Sequence, residues 1–263
     1  MAFFNYKGSQ VHYESKGEGT CVVLLHGFLQ NLSMWDILVE RLSDSFQVIR
    51  VDFPGFGRSE VLLEEHSMVA FSDCLIQLLQ EINVVNFQCI AHSMGGYVAL
   101  SVLQKIPGCI EHLCLFHSTA SPDTKKNKIN RDRAIKCLLY KPDLYISTAV
   151  RGLFNQQFYL PLEEEIFQMI TQTKKLSINA LASTIKGMKH RKDYNKVLSN
   201  SICRKNYVAG RLDPIHSFET LKNEAKFNGA VFIPIKDGGH MSHLEQNEQV
   251  HRILIDLIEN IED

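Results

Sequence analysis

The amino-acid sequence predicts an α/β fold, a doubly wound and mostly parallel sheet with a helical insertion. Three observations carry that expectation. Along most of the 263 residues, short apolar runs bounded by turn residues alternate with helix-period segments, the pattern of strand–helix–strand units joined by right-handed crossovers. Polar residues stand just past the ends of several apolar runs, where a parallel sheet opens its ligand crevice. Between about Ser118 and Ser199 the strand pattern stops and helical patterns follow one another.

In chain order the expected strands are Val11 to Glu14, Cys21 to Leu25, Gln47 to Val51, Asn86 to Ala91, His112 to Phe116, Asn206 to Ala209 and Ala230 to Ile235. Helix periodicity marks Met34 to Ser43, Met68 to Ile82, Gly96 to Gln104, Phe218 to Ala225 and Asn247 to Ile261. In the insertion it marks Arg131 to Tyr140, Pro142 to Asn155, Leu162 to Lys174 and Ser177 to His190. The division is therefore a core of residues 1–119 and 200–263 around an insertion of residues 120–199. No internal repeat or low-complexity linker interrupts it.

Composition narrows the function classes. The length suits one large domain with a sizeable core. A net charge of −1 argues against a nucleic-acid or anionic-membrane partner, and the run Lys125-Lys126-Asn127-Lys128 with Arg131 and Arg133 reads as a solvated helix face or loop. No apolar run approaches a membrane span, and Met1 to Gln10 lacks the basic start and apolar stretch of a signal peptide. Seven cysteines, an odd number, lie largely in apolar surroundings such as Cys21, Cys89 and Cys114, which suits buried thiols in a reducing cytoplasm. Neither they nor the eleven histidines show metal-ligand spacing, so no metal is expected.

One stretch carries chemistry. The apolar run Phe87 to Ala91 enters Ala91-His92-Ser93-Met94-Gly95-Gly96, and a helical pattern leaves it. That is the setting of a nucleophile elbow, where serine sits on a sharp strand-to-helix turn and small residues two before and two after it avoid collisions. Ala91 departs from the usual G-x-S-x-G by one methyl group. Ser93 could instead be an ordinary helix N-cap. A serine hydroxyl needs a general base and a carboxylate to orient it, and two downstream strand ends supply candidates. Gly210-Arg211-Leu212-Asp213 offers Asp213, which could also simply open the turn before Pro214. Gly238-Gly239-His240 offers His240, whose glycines allow a tight loop reaching back to the serine. His243 and His117 are the rival bases. Upstream, Cys21 to Leu25 ends in His26-Gly27-Phe28, where the Phe28 N–H could join that of Met94 in an oxyanion hole. Asp52, in a turn rich in glycine and proline, reads as fixing that loop, and Trp35, Phe28 and Leu32 as packing.

These pieces, with Asp52-Phe53-Pro54-Gly55-Phe56-Gly57-Arg58-Ser59, resemble the α/β-hydrolase superfamily over nearly the whole chain, least between about residues 120 and 190. The resemblance implies the chain order serine, acid, histidine, hence Ser93, Asp213 and His240, with the insertion as a helical cap. It implies a structural role for His26 and His92, and acyl transfer in two steps with no cofactor. It likens the segment holding Arg191 and Asp193 to a cap-to-core connection of lactonase- and perhydrolase-like members, although a structural ion pair explains those residues equally well. The cap offers Phe154, Phe158 and Phe167 as substrate-binding residues among other apolar side chains, which amphipathic helices also bury as core. Three functions fit. The first is hydrolysis of a small-molecule carboxylic ester, thioester or lactone; the second is C–C bond hydrolysis or a menaquinone-pathway-like lyase reaction on the same triad; the third is ligand sensing without turnover.

Overall fold

The structure, a computed structural model, describes residues 2–62 and 65–259. Among these residues eight strands form one sheet: β1 (Ala2–Tyr6), β2 (Ser9–Lys16), β3 (Cys21–Leu25), β4 (Gln47–Val51), β5 (Phe87–His92), β6 (Ile110–Phe116), β7 (Arg204–Gly210) and β8 (Val231–Ile235). Their order is β1-β2-β4-β3-β5-β6-β7-β8. The β1–β2 and β2–β4 pairs are antiparallel, and every pair from β4 to β8 is parallel. The expected doubly wound, mostly parallel sheet is therefore present.

The pleat explains why the central strands read as unbroken apolar runs. In β3, Cys21, Val23 and Leu25 enter one core and Val22 and Leu24 the other, because a sheet covered on both faces leaves no side of a strand to solvent. One face is covered by α2 (Met68–Glu81) and α3 (Met94–Lys105) through residues such as Phe71, Leu75, Tyr97 and Leu100. The other is covered by α1 (Asp36–Leu42) and the C-terminal α11 (Asn247–Glu259), through Leu38, Leu42, Val250 and Leu254. The last two residues of the expected Asn247 to Ile261 helix lie outside the described residues.

Between β6 and β7 run α4 (Lys125–Tyr140), α5 (Pro142–Arg151), α6 (Glu163–Thr173), α7 (Ile178–Lys189) and the short α8 (Asn195–Asn200). Leu138, Ile146, Val150, Ile166, Leu181 and Ile185 from the first four join the same apolar core as α2 and α3. The elements α9 (Phe218–Phe227) and α10 (Ser242–Glu245) complete the chain.

Several expectations need correction. Strand β1 was not anticipated, since only Phe4 and Tyr6 of its five residues face the core. The first helix opens as a tight 3₁₀ turn, Leu32–Trp35, capped by Asn31. Helix α4 begins at Lys125 rather than Arg131 because Thr124 caps it, its hydroxyl accepting the Asn127 N–H; the basic run inside it is largely exposed and has no apolar period to read. Helix α5 stops at Arg151 rather than Asn155, and α8 was unforeseen.

Buried carboxylates fix the loops that frame the crevice. Asp52 accepts the Leu32 N–H (2.8 Å), the Arg58 N–H (2.9 Å) and His12 Nδ1–H (2.8 Å), tying the turns after β3 and β4 together. Glu224 on α9 accepts the Thr119 hydroxyl (2.6 Å), the Ala120 N–H (2.6 Å), the Ser121 hydroxyl (2.5 Å) and the Tyr207 hydroxyl (2.8 Å), which pins the chain where it leaves β6 for the insertion. All seven cysteines are free. Burial pushes the Cys21 and Cys74 thiols up to about 12, leaving them unreactive. No helix among the described residues is long and apolar enough to cross a membrane.

Burial also holds the imidazoles of His26, His66, His92, His112, His117, His216, His243 and His251 below their ordinary value of 6.5. The unfolded chain therefore binds more protons than the fold once the pH drops below that value, and stability falls with pH at up to about 1.4 kcal/mol per pH unit for each such histidine. We predict a urea-unfolding free energy that is flat above neutrality and declines steeply through the mildly acidic range. A stability unchanged down to the pH at which carboxylates titrate would contradict it.

Candidate active site

Every sequence-predicted chemical residue lies at the carboxyl edge of the parallel strands. The order β4-β3-β5 makes this a switch point, because the chain builds outward from β3 in both directions and leaves a crevice above β3 and β5. Ser93 follows β5 directly and has φ 49° and ψ −113°, a strained backbone that persists only where the surroundings over-determine it. Here they do so: the Ser93 N–H donates to Phe116 O at 2.9 Å and the Ser118 hydroxyl to Ser93 O at 2.7 Å. Gly95 is required by close approach, since a Cβ there would lie 2.6 Å from Leu25 O and 2.9 Å from His26 O. Ala91 is fully buried, so its extra methyl group is accommodated inside the core.

The structure brings Ser93, His240 and Asp213 together. His240 Nε2 lies 2.9 Å from Ser93 Oγ, and His240 Nδ1 lies 3.0 and 3.2 Å from the two Asp213 oxygens. Ser93 remains partly accessible while His240 is 2% exposed. The loops bearing acid and histidine are zipped to each other: the Arg211 N–H donates to Ile235 O and the Leu212 N–H to Gly238 O, both at 3.0 Å. His92 Nε2–H donates to His240 O at 3.0 Å, and Glu245 accepts the N–H groups of Gly239 and Asn155. The histidine loop is thus held from β5, from α10 and from the helical insertion.

Asp213 is surrounded by donors. Its Oδ1 accepts the Ile215 N–H (2.7 Å) and the His216 N–H (3.1 Å), while Oδ2 also takes His117 Nδ1 at 2.8 Å. Burial by itself raises its pKa, but His240 and His117 outweigh it and hold the carboxyl well below the usual carboxylate range. The imidazoles of His92, His216 and His243 stay neutral. Burial pushes His216 and His243 down to about 3, and it holds His92 well below its ordinary value.

The rival bases fall elsewhere. His243 packs its ring 5.8 Å from His92 and 6.3 Å from Phe116 and makes no bond to Ser93. His117 has one ring nitrogen on Asp213 and the other 2.6 Å from Ser242 Oγ, so neither reaches the serine. Its place as a second donor to Asp213 was missed, although its position one residue past β6 was the visible signal. His26 donates from Nδ1 to Gly27 O (2.8 Å) and accepts the Phe53 N–H at Nε2 (3.0 Å), bracing the β3 and β4 turns. In the turn after β3, Gln30 Oε1 takes the Gly27 N–H at 2.9 Å. Met94 opens α3, where an amide has no acceptor within its own helix. Among the described residues, His117, Asp213 and His240 have ligand atoms within 4.8 Å of one another that could hold a metal ion; the two imidazoles already bond to the Asp213 carboxylate.

The proposed substrate residues scatter. Phe154 is 1% exposed and belongs to the apolar core, and Phe158 is half-buried in a single turn, Gln156–Phe158. Phe167, 62% exposed on α6, lines an outer groove with Leu160, Glu163 and Ile170 that includes none of Ser93, Asp213 or His240. An amphipathic period says which residues share a face, not which face the sheet edge sees. Arg191 pairs with Asp123 at 2.5 Å and lies 4.2 Å from the Tyr97 ring centre, whereas Asp193 accepts the Asn195 N–H, so the two do not pair with each other.

Comparison with known proteins agrees with this architecture. A family model described as the alpha/beta hydrolase fold matches residues 20–133. A thermophilic esterase from Thermogutta terrifontis superposes with a TM-score of 0.90 and 26% identity over 99% of this chain and 97% of that one. The dihydrolipoyllysine-residue acetyltransferase component of an acetoin cleaving system from Cupriavidus necator is 25% identical over 96% of this chain, which spans 67% of that protein. The (E)-2-((N-methylformamido)methylene)succinate hydrolase of Acinetobacter baylyi is 26% identical over 55% of this chain and 54% of its own length. With its sheet order and elbow geometry, the chain belongs to the α/β-hydrolase superfamily.

Proposed function

We propose that this α/β-hydrolase enzyme cleaves a small-molecule carboxylic ester, thioester or lactone through an acyl-enzyme on Ser93. The observation that carries the reading is the continuous path from Ser93 Oγ to His240 Nε2 at 2.9 Å and from His240 Nδ1 to Asp213 at 3.0 Å, built on a strained elbow. His240 removes the Ser93 proton as Oγ attacks the carbonyl carbon, and Asp213 stabilises the imidazolium that results. The carbonyl oxygen becomes an oxyanion facing the Phe28 and Met94 N–H groups. Since Gln30 already holds the Gly27 N–H, the next amide along, that of Phe28, is the one assigned this task. Collapse expels the alcohol or thiol, which takes the proton from His240, and water then repeats the sequence in reverse to release the acid. Each step balances with the chain's own residues and water, so no cofactor is invoked.

The class of substrate follows from chemistry rather than from a lined cavity. The likeness to the Thermogutta esterase supports the ester class, and residues 120–199 are assigned the role of a cap over a core of residues 1–119 and 200–263. Free, buried thiols support a reducing, cytoplasmic setting, and the partner is a small molecule. An activity screen on p-nitrophenyl esters of increasing chain length tests the reading. Turnover of a vinylogous diketone or an enolisable acid without ester turnover would favour carbon-bond chemistry on the same residues.

Each variant has its own expected outcome. Ser93→Ala should remain folded yet lose essentially all turnover and all labelling by a fluorophosphonate; equal labelling in the variant would remove Ser93 from the mechanism. Asp213→Asn and His240→Ala should each depress kcat strongly and together scarcely more than His240→Ala alone, because parts of one unit are not additive. His243→Ala should retain most activity, and a larger loss there than at His240 would reverse the choice of base. Among the cap phenylalanines, Phe167→Ala should leave the chain-length profile unchanged, and Phe154→Ala should lower stability by about 3–5 kcal/mol as a buried cavity forms. Phe158→Ala should alter acyl-length discrimination by about 1–3 kcal/mol. A profile altered at Phe167 but not at Phe158 would place the acyl group on the opposite side of the cap.

A further inference from the structure

We propose that His117 is a positioning residue for the reaction assigned above, a second imidazole that fixes Asp213 as an ionised acceptor and thereby sets the pH at which His240 becomes a competent base. The inference rests on that assignment for its kinetic consequence, but not for its geometry.

The hydrogen-bond roles around His117 are determined. Asp213 is ionised, so it only accepts, and the contact of 2.8 Å from His117 Nδ1 to Oδ2 makes Nδ1 the protonated nitrogen. Nε2 is then bare and accepts the Ser242 hydroxyl at 2.6 Å. Both ring nitrogens are satisfied by the neutral ring, and burial, the largest influence on this imidazole, keeps it neutral. The result is a branched chain of residues: Ser93 and His240 on one arm, Ser242 and His117 on the other, meeting at one carboxylate whose oxygens also receive the Ile215 and His216 amides.

The backbone at His117 supports a specific role. Its φ is +50°, a left-handed conformation uncommon outside glycine and most tolerated by Asn, Asp and His. The His117 N–H donates to Val208 O at 2.9 Å, so the strained residue is held between β6 and β7, the strand that delivers Asp213. The titratable groups that interact with it include Asp213 after β7, His240 at 5.5 Å between ring centres on the loop before α10, His92 at 6.0 Å at the end of β5, and His243 and His216. The carboxylate is the one side chain among these that bonds directly to both His117 and His240.

The consequence has a sign. A donor on Oδ2 withdraws charge from the carboxylate, which lessens its stabilisation of the His240 imidazolium. Removing that donor leaves the carboxylate to support the imidazolium more strongly, so a higher pH is needed before His240 can accept the Ser93 proton. It also frees Asp213 to rotate, which disturbs the orientation of the base.

The test is the pH dependence of kcat/KM for p-nitrophenyl acetate, with the rate of fluorophosphonate labelling in parallel. In His117→Ala the acid limb should move up by about half to one pH unit, and kcat should fall about tenfold with KM little changed. His117→Asn keeps an N–H donor at the same distance along the side chain and suits the left-handed backbone, so it should return the acid limb to its wild-type position. An unshifted limb in His117→Ala, or an Asn variant with the same limb as the Ala variant, overturns the proposal. Should His117→Ala fail to fold, ¹⁵N-histidine NMR of the wild type decides instead. The His117 Nδ1 must be protonated and Nε2 bare across the neutral range, and the opposite tautomer or an imidazolium overturns the proposal. If the wild type neither turns over the ester nor reacts with the fluorophosphonate, it is the serine-hydrolase reading that fails, and the NMR result still decides the place of His117.

Discussion

The site depends on one buried carboxylate. An ionised group withdrawn from water must recover its solvation from protein donors, and the penalty is severe if any fail. Asp213 recovers it from two imidazoles and two backbone amides. Those donors come from the end of β6, the loop before α10 and the chain just after Asp213 itself. Satisfying a single charge therefore brings three segments into register, and the position of His240 against Ser93 follows from it. The same carboxylate orders the surrounding histidines, because a fixed negative charge that accepts from His117 and His240 dictates which nitrogen of each ring carries the proton.

The second constraint is steric and lies on the opposite side of the serine. The elbow needs β5 to turn into α3 within one residue while resting on the end of β3, and the absence of a side chain at Gly95 allows that contact. Two hydrogen bonds, from the Ser93 amide to the last residue of β6 and to its carbonyl from Ser118 just beyond, hold the turn in a conformation that it would not keep alone. Strain at Ser93 and at His117 occurs on adjacent parallel strands, each at the first residue past the strand end. The sheet's rigid edge supports both, which is why Ser93 and His117 can sit where flexible loops would let them drift.

Much of this was legible because it is local. The elbow is written in Ala91 to Gly96, the buried strands in their continuous apolar runs, and the acid and histidine in glycine-bearing turns past strand ends. What escaped was what depends on long-range pairing. Nothing near His117 in the chain announces Asp213, 96 residues away, because the two meet only once β6, β7 and the final loop are side by side. The exposure of Phe167 escaped for a related reason: helix period locates an apolar stripe, but which stripe faces solvent is set by how α5 and α6 pack. Strand β1 escaped because an edge strand with two inward residues carries too little pattern to separate from a loop.

Glu245 links the loop of His240 to the helical insertion. Its carboxylate holds the Gly239 amide beside His240 and the Asn155 amide in the helical insertion, and burial raises its pKa above the ordinary carboxylate value. A single side chain thus anchors the insertion to the loop that carries His240. On the insertion side the contact is to backbone, so it does not depend on which side chain stands at that position.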